Sequence, residues 1–219
     1  MRKIIGGVFL SMDGVMQAPG GPPEDPTGGF EFGGWSATFW DEKMGAAMGG
    51  LFGEPYDLLL GRKTYEIFAA HWPYVPEDDP IGTAFGKAAK YVLTRGNDEL
   101  EWQNSHRLGG IDAVKELKAG EGPTLLIQGS STLYPQLLSA NLIDRLFVMT
   151  FPVFLGKGKR LFGPGTPSGA MKLVSSDVST TGVLIATYEP VGAVPIGTFE
   201  LASPSAFELK RRERMAREG

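Results

Sequence analysis

The sequence predicts an α/β fold: a mostly parallel central sheet, helices on both faces, and an antiparallel hairpin at its C-terminal end. Three observations carry this. Short apolar runs at 3–11, 56–60, 90–93 and 124–127 suit strands covered on both faces. Helical patterns separate them, so strand and helix alternate through the first half. The last two strands, near 171–178 and 182–189, flank Thr181-Gly182, which fits a hairpin turn.

Each element follows in order. Residues 3–11 form the first strand, and a Gly/Pro loop covers 17–34. A helix is predicted over about 38–51, with Phe39, Met44, Met48 and Leu51 on one face. After the strand at 56–60, a helix starts near Arg62 and carries Tyr65, Ile67 and Phe68. It stops by Trp72, because Pro73 and Pro76 cannot continue it. A short helix at 80–87 leads to the strand 90–93. The helix 112–118 ends at Gly120. The strand 124–127, a helix at 131–139 and a strand at 144–151 follow. The tail from 203 onward reads as a helix with Ser205 as N-cap and Phe207, Leu209 and Met215 among many charges.

A length of 219 residues with 42% hydrophobic content fits one large domain better than two. The expected division is a domain over 1–190 and a C-terminal extension over 191–219. The net charge of −4 argues against a nucleic-acid partner, which selects for a strongly basic face. The absence of cysteine excludes disulfides, thiolate nucleophiles and cysteine-ligated zinc. The apolar start is too short to span a membrane, and Ser11-Met12-Asp13-Gly14 follows it instead of a cleavage site. The expectation is a cytoplasmic protein.

Three places share one design: an apolar strand ends, a small polar turn follows, and a helix can begin. They are Leu58-Leu59-Leu60-Gly61-Arg62-Lys63-Thr64, Tyr91-Val92-Leu93-Thr94-Arg95-Gly96, and Leu125-Leu126-Ile127-Gln128-Gly129-Ser130-Ser131-Thr132. In a parallel sheet these turns share the edge where ligands bind. Helix N-termini there present free N–H groups, and glycine lets an anion approach the backbone. Arg62 and Arg95 add guanidinium forks suited to phosphate. Each turn alone also reads as an ordinary tight turn or N-cap. Together they point to a ligand with more than one phosphate. No Gly-x-Gly-x-x-Gly follows the first strand and no P-loop is present, which argues against a Rossmann dehydrogenase or a P-loop NTPase.

Gly61-Arg62-Lys63-Thr64-Tyr65-Glu66 resembles the cofactor-binding segment of dihydrofolate reductases. Ser11-Met12-Asp13-Gly14-Val15, Trp72-Pro73, Gly129-Ser130 and the run from Pro152 to Phe162 resemble the reductase family that includes the C-terminal domain of RibD riboflavin-biosynthesis proteins. The resemblance covers about 3–189. It implies a dihydrofolate-reductase-like fold, an NADPH-dependent reductase acting on a small heterocyclic or carbonyl substrate, and a homodimer. It also implies roles. Gly61, Arg62 and Thr64 would hold the pyrophosphate and the adenosine 2′-phosphate, and Thr94 and Arg95 would sit near that 2′-phosphate. Gly129, Ser130, Ser131 and Thr132 would close the other side of the pyrophosphate. Lys63, Leu93, Gln128 and Leu133 belong to the same cofactor-binding segments. Phe9 and Leu10 would lie near the nicotinamide, and Trp35 and Ser36 where such reductases hold substrate. RibD proteins carry a zinc deaminase domain before the reductase, whereas here the reductase strand begins at residue 3, so a stand-alone reductase domain is expected. The 17–34 loop is longer than in the riboflavin reductases.

Asp13 and Asp41 are the candidate catalytic carboxyls. Dihydrofolate reductases place an acidic residue on the first helix, and Asp41 lies on the corresponding one. Asp13 precedes Gly14 and reads equally as a turn residue, and Asp41 as a first-turn helix charge. His71 and His106 have no third partner, so neither a metal site nor a serine triad is expected. Lys210-Arg211-Arg212 reads as a solvated helix face. The alternative to an enzyme is a non-catalytic NADP(H)-binding or regulatory protein on the same fold.

Overall fold

A computed structural model describes residues 1–218. Eight strands form one sheet: β1 (Ile4–Ser11), β2 (Tyr56–Gly61), β3 (Lys90–Leu93), β4 (Ser105–Leu108), β5 (Thr124–Gln128), β6 (Arg145–Phe151), β7 (Ala170–Val178) and β8 (Leu184–Gly192). Their order is β4-β3-β2-β5-β1-β6-β8-β7. The first six are parallel. β8 runs antiparallel to β6, and β7 to β8. The predicted fold class is therefore the observed one.

Among the described residues six α-helices accompany the sheet: α1 (Glu42–Phe52), α2 (Arg62–Ala69), α3 (Pro80–Lys87), α4 (Ile111–Ala119), α5 (Leu133–Ser139) and α6 (Ala206–Glu218). Strand alternation sorts the core. Leu59, Leu125, Ile127, Ile4 and Val8 pack under α4 and α5, through Val114, Leu133 and Leu137. Leu58, Leu60 and Val92 face the other way, onto Tyr65 of α2 and Phe85 of α3. Met44 of α1 covers Met149, Phe151 and Ile185 on that same side. Burying each such side chain contributes roughly 1.5–3 kcal/mol.

β1 carries two glycines that face opposite ways. A Cβ on Gly6 would meet the Tyr134 ring at 2.7 Å and its hydroxyl at 2.9 Å; one on Gly7 would meet Gln128 Nε2 at 2.3 Å and Leu51 at 2.9 Å. The central strand is thus thin enough for neighbouring side chains to occupy the vacated space on both faces.

Three sequence expectations are corrected. The helix expected over 38–51 is interrupted: a 3-10 turn covers Ala37–Phe39, Trp40 is extended, and α1 begins only after Asp41. The reason is local, since the Asp41 carboxylate accepts the Met44 N–H at 2.8 Å and caps the helix. β4 was not expected, because Ser-His-Arg-Leu has no apolar run; it forms by pairing with β3 at the sheet edge. Finally, α5 starts at Leu133, which leaves Ser131 and Thr132 in the preceding turn. The tail helix does begin after Ser205, whose hydroxyl accepts the Glu208 N–H at 3.2 Å. No helix among the described residues is long and apolar enough to cross a membrane.

The opposite, N-terminal edge of the sheet is tied by charge. The buried Arg2 guanidinium engages Asp57 and donates to the Pro123 carbonyl at 2.7 Å. Asp144 accepts the Ile4 N–H at 2.7 Å and the Lys118 ammonium.

Candidate active site

The ends of β3, β2 and β5 are level. Gly61 pairs with Leu93, and Leu58 with Leu126, so Leu93, Gly61 and the Gln128–Gly129 step lie together on the C-terminal edge. The turns after β2 and β5 touch directly. Ser130 Oγ accepts the Gly61 N–H at 2.7 Å and donates to Thr64 Oγ1 at 2.8 Å. A Cβ on Gly129 would stand 3.2 Å from the Thr64 methyl, and one on Gly61 3.2 Å from the Ser130 hydroxyl. Both contacts are tight for a Cβ, and at Gly129 the positive φ favours glycine as well. Gly129 and Ser130 have φ of +90° and +67°, and a serine in that region costs strain, of the kind found at functional sites.

No side chain caps α2 or α5. α2 has no acidic residue in its first turn and carries Arg62 and Lys63, both exposed, at its start. The arrangement presents uncapped backbone donors, two hydroxyls and positive charge on one edge of the sheet, which suits a phosphate group. The Arg62 guanidinium folds back on Glu66 one turn later.

The third turn lies beside these two. Thr94 is buried; its N–H donates to Leu108 O at 3.1 Å and its hydroxyl accepts the Gly96 N–H at 3.1 Å. Arg95 is exposed on this turn. Arg107 of β4 clamps the turn by donating to the Gly96 and Asp98 carbonyls. Sequence reasoning missed this residue because its strand was missed.

On the other side of β5, Phe9 and Leu10 point to opposite faces of β1. Phe9 packs against Phe151 and Trp40 at centroid distances of 5.4 and 6.2 Å. Leu10 joins the α4–α5 core. Leu133 is buried in that same core, while Gln128 turns toward Gly7, its Nε2 buried without a partner. Trp35 and Ser36 anchor the long loop. Trp35 Nε1 donates to Gln17 O at 2.8 Å and its ring meets Phe151 edge-on, while Ser36 Oγ donates to Pro19 O at 2.8 Å. Gln17 clips the loop from within, donating to the carbonyls of Asp25 and Thr27 and accepting the Lys159 N–H.

Both candidate carboxyls are engaged elsewhere. Asp13 accepts from Ser11 Oγ, Leu155 N and Gly156 N at 2.6, 3.0 and 2.9 Å. Desolvation would raise its pKa, but these hydrogen bonds outweigh it and hold the group down at about 2. Asp41 accepts from Met44 N and from both the N–H and hydroxyl of Thr180, which together lower its pKa. Each is an ionised acceptor at neutral pH. Glu24, on the 17–34 loop, behaves differently: burial raises its pKa despite the hydrogen bond from Gly20 N. No sequence signal marked it, because its surroundings arise from how the loop folds. Among the described residues no cluster of three metal-ligating side chains occurs.

A family model described as the RibD C-terminal domain matches residues 2–185. The chain belongs to this family. Similarity extends to an uncharacterised protein, YyaP, of Bacillus subtilis: 25% identity over 135 residues, 60% of this chain and 72% of that one. Among solved structures, this RibD C-terminal-domain protein shares its fold with a putative riboflavin biosynthesis protein from Shewanella (TM-score 0.58, 22% identity, 86% of this chain and 99% of that one). It also shares it with a pyrimidine reductase-like protein from Corynebacterium diphtheriae (TM-score 0.56, 14% identity, 87% and 92%). A third is dihydrofolate reductase from Enterococcus faecalis complexed with NADP(H) (TM-score 0.53, 17% identity, 86% and 96%).

Proposed function

We propose that this protein is an NADPH-dependent reductase that delivers hydride to a small heterocyclic, pterin- or pyrimidine-like, or carbonyl substrate. The observation that carries the reading is the Ser130 hydroxyl joining Gly61 and Thr64, which makes one cradle of two glycine turns and two uncapped helix starts. Membership in the RibD C-terminal-domain family and the fold shared with reductases support it. When bound, NADPH supplies the hydride.

The chain's own groups do the rest. Gly61, Arg62, Lys63 and Thr64, with Gly129, Ser130, Ser131 and Thr132, hold the pyrophosphate. Thr94 and Arg95, next to Leu93, read the 2′-phosphate. Phe9 bounds the space for the nicotinamide, Leu10, Gln128 and Leu133 back the strand ends that carry the cofactor turns, and Trp35 and Ser36 hold the loop that covers the substrate. Placement of two rings and exclusion of water account for most of what such a transfer asks of a protein. Asp13 and Asp41 act as positioning residues in this scheme, since each is ionised and hydrogen-bonded to backbone. The same reading assigns the protein to the cytoplasm, as a homodimer.

Calorimetric titration tests the cofactor. NADPH should bind at least tenfold more tightly than NADH, and Arg62→Ala and Arg95→Ala should each erode that difference, because charged hydrogen bonds to phosphate contribute about 1.5–3 kcal/mol. Equal affinity for the two dinucleotides, or no binding, refutes the assignment. The commitment of both carboxylates favours a second reading, a non-catalytic NADP(H)-binding regulator. Tight NADPH binding without oxidation across pterins, pyrimidines and quinones would select it.

A further inference from the structure

The chain after β8 is bare. Residues 193–205 form no helix or strand, all are exposed, and α6 buries no residue. Ile196 is 90% exposed, Phe199 108%, Leu201 75% and Phe207 81%. Water-facing apolar side chains in such number are uncommon on a monomer and mark a surface that is covered in use. A second bare surface lies nearby. β7 is the last strand of the sheet, nine residues long, with one edge unpaired. Leu173, Val174 and Val178 are about half exposed on it. A free edge of this length is a template for a further strand.

We infer that the tail of one copy, residues 193–218, seats on the β7–β8 hairpin of a second copy, and that the exchange is reciprocal. Thr198-Phe199-Glu200-Leu201 alternates polar and apolar, as a strand half-covered on one face does, yet it has no partner strand among the described residues. Laid along the β7 edge it gains main-chain hydrogen bonds, and its apolar side chains meet those of the hairpin. A tail leaves its own hairpin at Gly192, which pairs with Ala170 at the foot of β7, and then runs clear of its own sheet. A second copy brings one identical bare tail and one identical free edge. A two-fold exchange covers both of each and leaves nothing to propagate. Charge agrees. Residues 206–218 hold five Lys/Arg and three Asp/Glu, a net +2, which leaves −6 on the remainder of a chain whose total is −4. The hairpin over 170–192 holds Lys172 against Asp177 and Glu189, a net −1, so crossing the tails sets each positive helix beside a hairpin of slightly negative charge. Phenylalanine side chains bury about 150–250 Å² each. Phe199 and Phe207 with the aliphatic residues around them therefore approach the roughly 800 Å² per partner of a standard interface.

The exchange rests on the homodimer of the reading above, does not depend on the proposed reaction, and goes further by naming the surface. The cysteine-free chain makes the test direct. Sedimentation of the full-length protein should give twice the chain mass, and the full-length Ile196→Asp/Phe199→Asp variant should sediment as a folded monomer. Val174→Cys in one preparation and Phe199→Cys in a second, size-tagged one should form a mixed disulfide when combined and oxidised. A monomeric wild type overturns the proposal, as does a dimer indifferent to the aspartates. Disulfides confined to like Val174→Cys chains would overturn it by showing that the edges pair without the tails. A monomer that sediments with phosphatidylserine vesicles would overturn it by assigning the tail to a membrane surface.

Discussion

The Ser130 hydroxyl donates to the Thr64 hydroxyl at 2.8 Å and accepts the Gly61 N–H at 2.7 Å, so one serine side chain binds together two turns 66 residues apart. Ser130→Ala leaves the Gly61 N–H without its acceptor and should cost about 1–3 kcal/mol of stability. NADPH affinity should fall about tenfold. Ser130→Gly relieves the positive φ while still lacking the hydroxyl, so it should bind NADPH as weakly as the alanine variant but melt at a higher temperature. Calorimetry and thermal melts on the pair separate the two contributions.

Asp41 links the start of α1 to the β7–β8 turn through Met44 and Thr180. Asp41→Asn keeps an acceptor oxygen and should retain turnover, whereas Asp41→Ala should lower the melting temperature. A loss of kcat in Asp41→Asn with an unchanged melt would instead make Asp41 the proton source.

Asp13 has a folded-state pKa below its ordinary 3.8, at about 2. Its contribution to stability is therefore complete above pH 4 and lost as pH falls toward 2. Asp13→Asn should be less stable than wild type at pH 7, and urea denaturation curves should show the gap narrowing across pH 4 to 2. A gap that stays constant over that range would contradict the assignment.

Arg2 is a test of the far edge. Its side chain is 3% exposed and pairs with Asp57, itself 14% exposed. Arg2→Met strands a largely buried carboxylate and should cost about 3–5 kcal/mol. Because the pair lies at the N-terminal rim, NADPH affinity measured well below the melting temperature should stay within about twofold, and a larger change would tie this rim to the cradle.

Much of this was legible in the residues, and what was not has physical causes. The parallel core strands announce themselves because both their faces are covered, which selects unbroken apolar runs. The hairpin shows through Thr181-Gly182, where Gly182 adopts φ of +85°. β4 is hidden because Ser105–Leu108 has no strand-like pattern and owes its conformation to β3. The interruption before α1 turns on Asp41 capping Met44, which the pattern does not show because an aspartate there reads equally as a first-turn helix charge. At the cradle, glycine and hydroxyl residues on level strand ends were legible as a group. The hydroxyl-to-hydroxyl link was not, since it depends on the left-handed turn at Ser130.

The two glycines of β1 carry an evolutionary consequence. Gly6 faces a rigid phenol ring and Gly7 the tip of a flexible amide, so the two sites tolerate change unequally. A methyl at Gly7 can be accommodated if the flexible ends of Gln128 and Leu51 swing aside, whereas a methyl at Gly6 has to displace Tyr134 from the interior. Divergent homologues should therefore alter position 6 only in step with position 134, a correlated pair at the centre of the sheet, while position 7 drifts more freely.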